Sequence, residues 1–249
     1  MKRAQKTKED FIKKEKFIRT KEFPVLLPKN ENQRLFMEAL KYDSLVIASG
    51  SAGVGKTYIA CLHAAKRLHE GKIKKIVLIR AYQPLAGRSI GAVPGTAQEK
   101  LMGFYIQMVE YFQYYFGKAT TEIHLKNGAI EICSLETIRG RSWDDAICLC
   151  DESQNLYVQE VQALTTRLGK NSQMIFCGDD SGLQTDIKKG MTGMTYLTKI
   201  ISKYNIEDTS VIEFAPADIV RSGITKSFVL AFESEFHLDK NGKGILGKQ

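Results

Sequence analysis

The 249 residues predict an α/β domain, with a mostly parallel sheet covered by helices on both faces. Three observations predict it. Short runs that are almost wholly apolar, such as Lys75–Arg80 (KIVLIR) and Ala146–Cys150 (AICLC), read as strands buried on both faces. Segments of helical period separate these runs, as the crossovers of a parallel sheet require. A glycine-rich turn joins the first such strand to the first such crossover. With 43% hydrophobic and 26% charged residues, the chain also has the composition of a globular domain.

In order, Ser44–Ser49 (SLVIAS) reads as the first strand and Thr57–Glu70 as a helix halted by Gly71. Lys75–Arg80 is the next strand. Residues 81–96 hold Gly87, Gly91, Pro94 and Gly95 and read as a loop. Ala97–Phe116 has the pattern of a long amphipathic helix rich in aromatics. Glu122–Leu125 and Ala129–Ser134 flank Asn127-Gly128, which predicts a small antiparallel hairpin insertion. Then come a strand at Ala146–Cys150, a helix from Val158 to about Leu168 and a strand at Gln173–Cys177. A helix near Thr195–Lys203, a strand at Ser210–Phe214 and a helix near Thr225–Ser234 complete the series. The organisation expected is a basic arm at 1–22, one domain over 23–239 and a mobile tail at 240–249.

Lys and Arg number 36 against 28 Asp and Glu, a net charge of +8. Residues 1–22 carry nine basic and four acidic side chains, so +5 of that excess sits in the arm and +3 on the rest. This excludes a uniformly basic nucleic-acid coat and leaves a basic arm on a nearly balanced body. No run of 18 apolar residues occurs, so no membrane span is expected, and the opening residues are too charged for a secretory signal. Cys61, Cys133, Cys148, Cys150 and Cys177 lie mostly in apolar runs with no zinc-site spacing. They read as reduced core thiols of a cytoplasmic protein.

The chemistry is concentrated in Gly50-Ser51-Ala52-Gly53-Val54-Gly55-Lys56-Thr57, which fits G-x-x-x-x-G-K-[ST] between a strand and a helix. A polyphosphate offers many anionic acceptors. Backbone N–H groups answer them best when glycines let the loop curl inward and the helix dipole adds positive potential. Lys56 brings a full charge to the β- and γ-phosphates, and the Thr57 hydroxyl can ligate Mg²⁺. Asp151-Glu152, at the end of a strand expected to neighbour the loop's own, can hold the metal through its water shell (Asp151) and poise an attacking water (Glu152). Gln33, just ahead of the first helix, can both donate to and accept from an adenine edge. Gly178-Asp179, with Gln184 nearby, offers a polar group to sense the γ-phosphate. Arg80, Arg88, Arg139 and Arg141, with the arm, can line a path for single-stranded RNA or DNA. Tyr82 and the aromatics of 104–116 can stack bases there or pack a core.

Together these pieces resemble the PhoH-like family of phosphate-starvation-inducible ATPases. The marks are Asn32-Gln33, Gly50–Thr57, Arg80 and Pro94-Gly95-Thr96-Ala97-Gln98-Glu99-Lys100. Arg139-Gly140-Arg141-Ser142, Asp151–Asn155, Thr166–Gly169, Gly178-Asp179 and Asp218–Arg221 complete the order. Where the family pattern is close to G-D-x-x-Q, Gln184 stands six residues after Gly178. The resemblance implies a RecA-like P-loop NTPase fold, similar to the nucleotide-binding half of superfamily 1 helicases. It implies ATP and Mg²⁺ as cofactors, Gln33 reading adenine, Glu152 as catalytic carboxylate, and Gln154 and Arg221 responding to the γ-phosphate. One such core lacks the second face of the cleft. A homo-oligomer, such as a hexameric ring, with an arginine supplied in trans is therefore expected, with Arg221 first and Arg167 or Arg141 in reserve. Two other readings stay open on the residues alone: a small-molecule kinase, and a nucleotide-switched interaction protein with little turnover.

Overall fold

The computed structural model of the chain describes residues 25–81, 97–179, 191–221 and 223–238. Six strands are present among them: β1 (Leu45–Ser49), β2 (Lys75–Arg80), β3 (Ile130–Cys133), β4 (Ala146–Asp151), β5 (Gln173–Gly178) and β6 (Thr209–Glu213). They form one sheet in the order β3-β2-β4-β5-β1-β6, and every pairing is parallel. The helices are α1 (Glu31–Tyr42), α2 (Lys56–His69), α3 (Ala97–Phe116), α4 (Lys118–Lys126), α5 (Val158–Thr165), α6 (Gly193–Tyr204) and α7 (Ile224–Leu238).

Alternation along the strands sends side chains to two separate cores. On one face Val46, Ala48, Ile76, Leu78, Leu149 and Ile175 meet Phe36 and Leu40 of α1, Ile59 of α2, and Met108 and Phe112 of α3. On the other, Ile47, Val77, Ile79, Cys148, Cys150 and Phe176 meet Val161 and Leu164 of α5 and Met194 and Leu197 of α6. Each fully buried aliphatic or aromatic side chain contributes about 1.5–3 kcal/mol by leaving water. All five cysteines are free and buried, and Cys148 and Cys150 share one face as their spacing predicts.

Three expectations are corrected. The antiparallel hairpin is absent: Glu122–Leu125 belongs to α4, and β3 pairs parallel to β2. Asn127 instead ends α4, its N–H bonding to Ile123 O, and Gly128 follows with φ +76°. A left-handed glycine serves a helix C-terminus as well as a tight hairpin, so Asn-Gly alone could not separate the two. Second, β4 is not beside β1; β5 lies between them. Third, Gln33 lies inside the first turn of α1, where its N–H is capped by Asn30 Oδ1 at 2.8 Å. Among the described residues no helix is long and apolar enough to cross a membrane. The arm, the tail, Tyr82, Arg88 and Gln184 lie outside the described residues.

Candidate nucleotide-binding site

The C-terminal ends of β1, β5 and β4 bring the loop and the acidic pair to one edge of the sheet, the usual place for ligands in α/β folds. The Gly50 N–H donates to Gly178 O at 3.1 Å, which ties the loop to β5. Gly50 has φ +145°, and a Cβ there would stand 2.6 Å from Phe214 O, so only glycine lets the chain leave β1 at this point. The Lys56 ammonium donates to the carbonyls of Gly50 and Ser51, the latter at 2.9 Å. Burial lowers its pKa, and the negative charges of Asp179, Asp151 and Glu152 work against that shift. Val54 turns its side chain into the core, so it can serve a ligand only through its backbone.

Thr57, in the first turn of α2, donates its hydroxyl to Asp151 Oδ1 at 2.8 Å. Asp151 is buried, and its pKa is raised first by desolvation and then by the adjacent Glu152 charge. The Thr57 hydroxyl and Arg80 partly offset this. Glu152 takes a left-handed conformation with φ +54°, a turn that lifts its carboxylate off the end of β4. Gln154 Nε2 donates to Glu152 Oε2 at 2.7 Å, while Gln154 Oε1 accepts the Asp179 N–H at 3.0 Å. The amide thus fastens the carboxylate to the end of β5.

These groups line a cavity of about 340 Å³ that also takes in Gly53, Gly178 and Arg221. Hard oxygen donors on Thr57 and Asp151 suit Mg²⁺, which takes few protein ligands and keeps its waters. The cavity and loop N–H groups suit a polyphosphate beside it. A larger cavity of about 500 Å³ lies elsewhere, between α1 and α2, and contains none of these groups.

Several side chains fall where the sequence did not put them. Arg221, expected to respond to the γ-phosphate and first choice for the arginine supplied in trans, has its aliphatic carbons about 3.0 Å from a Cβ built on its own Gly53. It overhangs the loop of its own chain because Val220 N–H is bonded to Gly53 O at 3.1 Å. Arg80, read as a nucleic-acid contact, instead stands 3.1 Å from Glu152 and 3.8 Å from Asp151. Arg141 is paired with Glu131 of β3 and lies over the Trp143 ring, while Arg139 is exposed. The Gln33 amide is held by the chain itself: Nε2 donates to Val54 O and Oε1 accepts the Lys29 N–H, both at 2.8 Å. The sequence did not point to Tyr58 or Gln107, and offered Tyr111 only among the aromatics of 104–116 for base stacking or core packing; all three line the cavity. No motif marks them, since Gln107 and Tyr111 sit on an aromatic helix whose other face, Tyr105, Met108, Phe112 and Tyr115, is core.

The parallel sheet, the glycine loop opening α2 and the facing carboxylates define a P-loop NTPase fold of the RecA-like kind. A family model described as PhoH-like protein matches residues 25–233, and the chain belongs to that family. It is 36% identical over 207 residues to a PhoH-like protein of Bacillus subtilis (83% of this chain, 64% of that one). It is 27% identical over 210 residues to Protein PhoH of Escherichia coli K12 (83% and 58%). The chain therefore spans less than two thirds of the length of these relatives. Among solved structures it is similar to the crystal structure of Pif1 helicase from Candida albicans. That likeness has a TM-score of 0.38 and 19% identity, covering 76% of this chain and 40% of that one.

Proposed function

We propose that this chain binds ATP with Mg²⁺ and hydrolyses it, and that it couples turnover to single-stranded RNA or DNA as a homo-oligomer. One observation carries the nucleotide reading: Thr57 Oγ1 and Asp151 Oδ1 meet at 2.8 Å beside Lys56 in one cavity. The pKa shifts support it. Asp151 is pushed toward its neutral form and Lys56 toward its neutral form. A dication beside the first and a phosphate beside the second would oppose both shifts. In this reading the loop N–H groups and Lys56 hold the phosphates, and Thr57 with Asp151 holds the metal and its water shell. Glu152, fixed by Gln154, orients the attacking water, and Arg221 faces the γ-phosphate from its own chain. Mg²⁺ supplies charge neutralisation on the phosphates.

Coupling to nucleic acid rests on family membership and on the charge of the arm; exposed Arg139 is the contact first in line. A second copy closing the cleft is the remaining element, with its arginine drawn from a residue other than Arg221. The experiment is ATP turnover with and without single-stranded RNA and DNA, run beside light scattering. Turnover raised by a polynucleotide, less so at higher salt, supports the coupling. Lys56→Ala is expected to lose nucleotide, while Glu152→Gln keeps it and loses at least a hundredfold in turnover. Normal hydrolysis by Glu152→Gln sinks the catalytic reading, and full activity from a monomer sinks the oligomer.

A further inference from the structure

Part of the cavity wall comes from α3, through Gln107 and Tyr111. Gln107 and Tyr111 are one helical turn apart, and Gln107 Nε2 donates to the Tyr111 hydroxyl at 2.9 Å. A phenol can accept and donate at once. Because the Tyr111 oxygen accepts from Gln107, its own O–H is available to donate elsewhere. The ring cannot swing far. It packs edge-on against Tyr58, with centroids 5.4 Å apart, and Tyr58 stands next to Thr57 at the start of α2. The hydroxyl shares the cavity with Lys56, Asp151, Glu152 and Arg221. It lies in reach of the Asp151 and Arg221 charges, and burial holds its proton on by raising its pKa.

We infer that Tyr111 is a phosphate-contacting residue, donating its hydroxyl proton to the terminal phosphate of a bound nucleoside triphosphate, with Gln107 as the positioning residue that aims it. This rests on the nucleotide reading above and extends it, since the loop motif names no residue of α3. The neighbours decide which phosphate. In the reading above Glu152 orients the water that attacks the third phosphate and Arg221 faces that phosphate, and Tyr111 lines the same cavity as both. Tyr111 therefore distinguishes triphosphate from diphosphate, and it ties α3 to the nucleotide state.

The test is equilibrium binding of a non-hydrolysable ATP analogue and of ADP, each with Mg²⁺, to the full chain. Tyr111→Phe keeps the ring packed on Tyr58 and removes one donor. Its affinity for the ATP analogue is expected to fall about ten- to a hundredfold, as for a lost hydrogen bond to a charged group, with ADP affinity unchanged. Gln107→Leu should show the same asymmetry at smaller size, about two- to fivefold. Wild-type affinity for the analogue in Tyr111→Phe overturns the assignment. So does an equal loss for both nucleotides, with or without a lower melting temperature, because that marks packing rather than contact. Lys56→Ala is the separate control: if it still binds both nucleotides normally, the underlying site reading falls, and the Tyr111 assignment falls with it.

Discussion

The Arg80 guanidinium, at the end of β2, reaches across to the Glu152 carboxylate just past the end of β4, 3.1 Å away. The register explains the reach, since Arg80 is the partner of Asp151 across the two strands. Two adjacent carboxylates at a strand end repel each other, and Arg80 is the cation that holds them together. Its side chain is 20% exposed and that of Glu152 37%, so solvent screens the pair in part. Arg80→Gln is therefore expected to lower stability by about 2 kcal/mol, below the range for a fully buried pair broken on one side. It should lower ATP turnover more than nucleotide affinity, since the loop itself is untouched. A urea melt and steady-state kinetics check both. Unchanged turnover would show that Glu152 needs no help from β2.

Gly178 provides a second test of the same carboxylate, through packing rather than charge. A Cβ built on Gly178 would lie 2.8 Å from Gln154 Oε1 and 2.9 Å from Gln154 N. Gly178→Ala must therefore push away the amide that fastens Glu152 to β5. Turnover is expected to fall at least tenfold, and stability by about 1–3 kcal/mol, as when a well-packed position is overfilled. The ATP affinity should hold. If kinetics instead show affinity lost and turnover per bound nucleotide intact, Gln154 does not position Glu152.

His63, on α2 outside the site, sets a pH dependence. Its Nε2 lies 3.0 Å from Gln173 Oε1, and Gln173 Nε2 donates to the carbonyls of Leu40 and Asp43. Burial, then the charge of Arg67, pushes the imidazole pKa down from 6.5 to about 4. The unfolded chain thus binds the proton more readily between those values. This group's contribution is complete above pH 6.5 and is lost as pH falls toward 4. Between pH 7 and pH 5 the loss is about 2 kcal/mol. Urea midpoints at the two pH values measure it, and His63→Gln should show a smaller drop than wild type over the same interval.

Strands and loop were legible because their signals are local. Lys75–Arg80 and Ala97–Phe116 match β2 and α3 residue for residue, and the Gly50–Thr57 turn sits between β1 and α2 as its motif requires. What failed to show was non-local. The insertion of β5 between β1 and β4 depends on crossover lengths, and no strand's own sequence records it. Arg80 on Glu152, and Arg221 over its own Gly53, are contacts between residues 72 and 168 positions apart. A charged side chain reads the same in sequence whether it meets a carboxylate or a phosphate. Asn127-Gly128 failed differently: the residue type was read correctly, but a positive-φ glycine serves two structures, and only the pairing of β3 decides between them.

Gln33 separates two readings of one amide. If it reads adenine, its loss should weaken ATP and spare GTP. The geometry favours another role, because Nε2 already donates to Val54 O and Oε1 already accepts the Lys29 N–H. Both bonds pin the glycine loop to α1 and the segment before it. A Cβ on Gly55 would stand 3.1 Å from the same Nε2, so the amide also fills the space against the loop. Gln33→Ala is then expected to loosen the loop whatever base the nucleotide carries. The affinities for ATP and GTP should fall together, by about tenfold, and stability should drop about 1–2 kcal/mol for the buried Val54 carbonyl left unpaired. Competition binding with both nucleotides measures the ratio. A loss confined to ATP would return Gln33 to the adenine edge; a shared loss makes it the brace on which the phosphate loop rests.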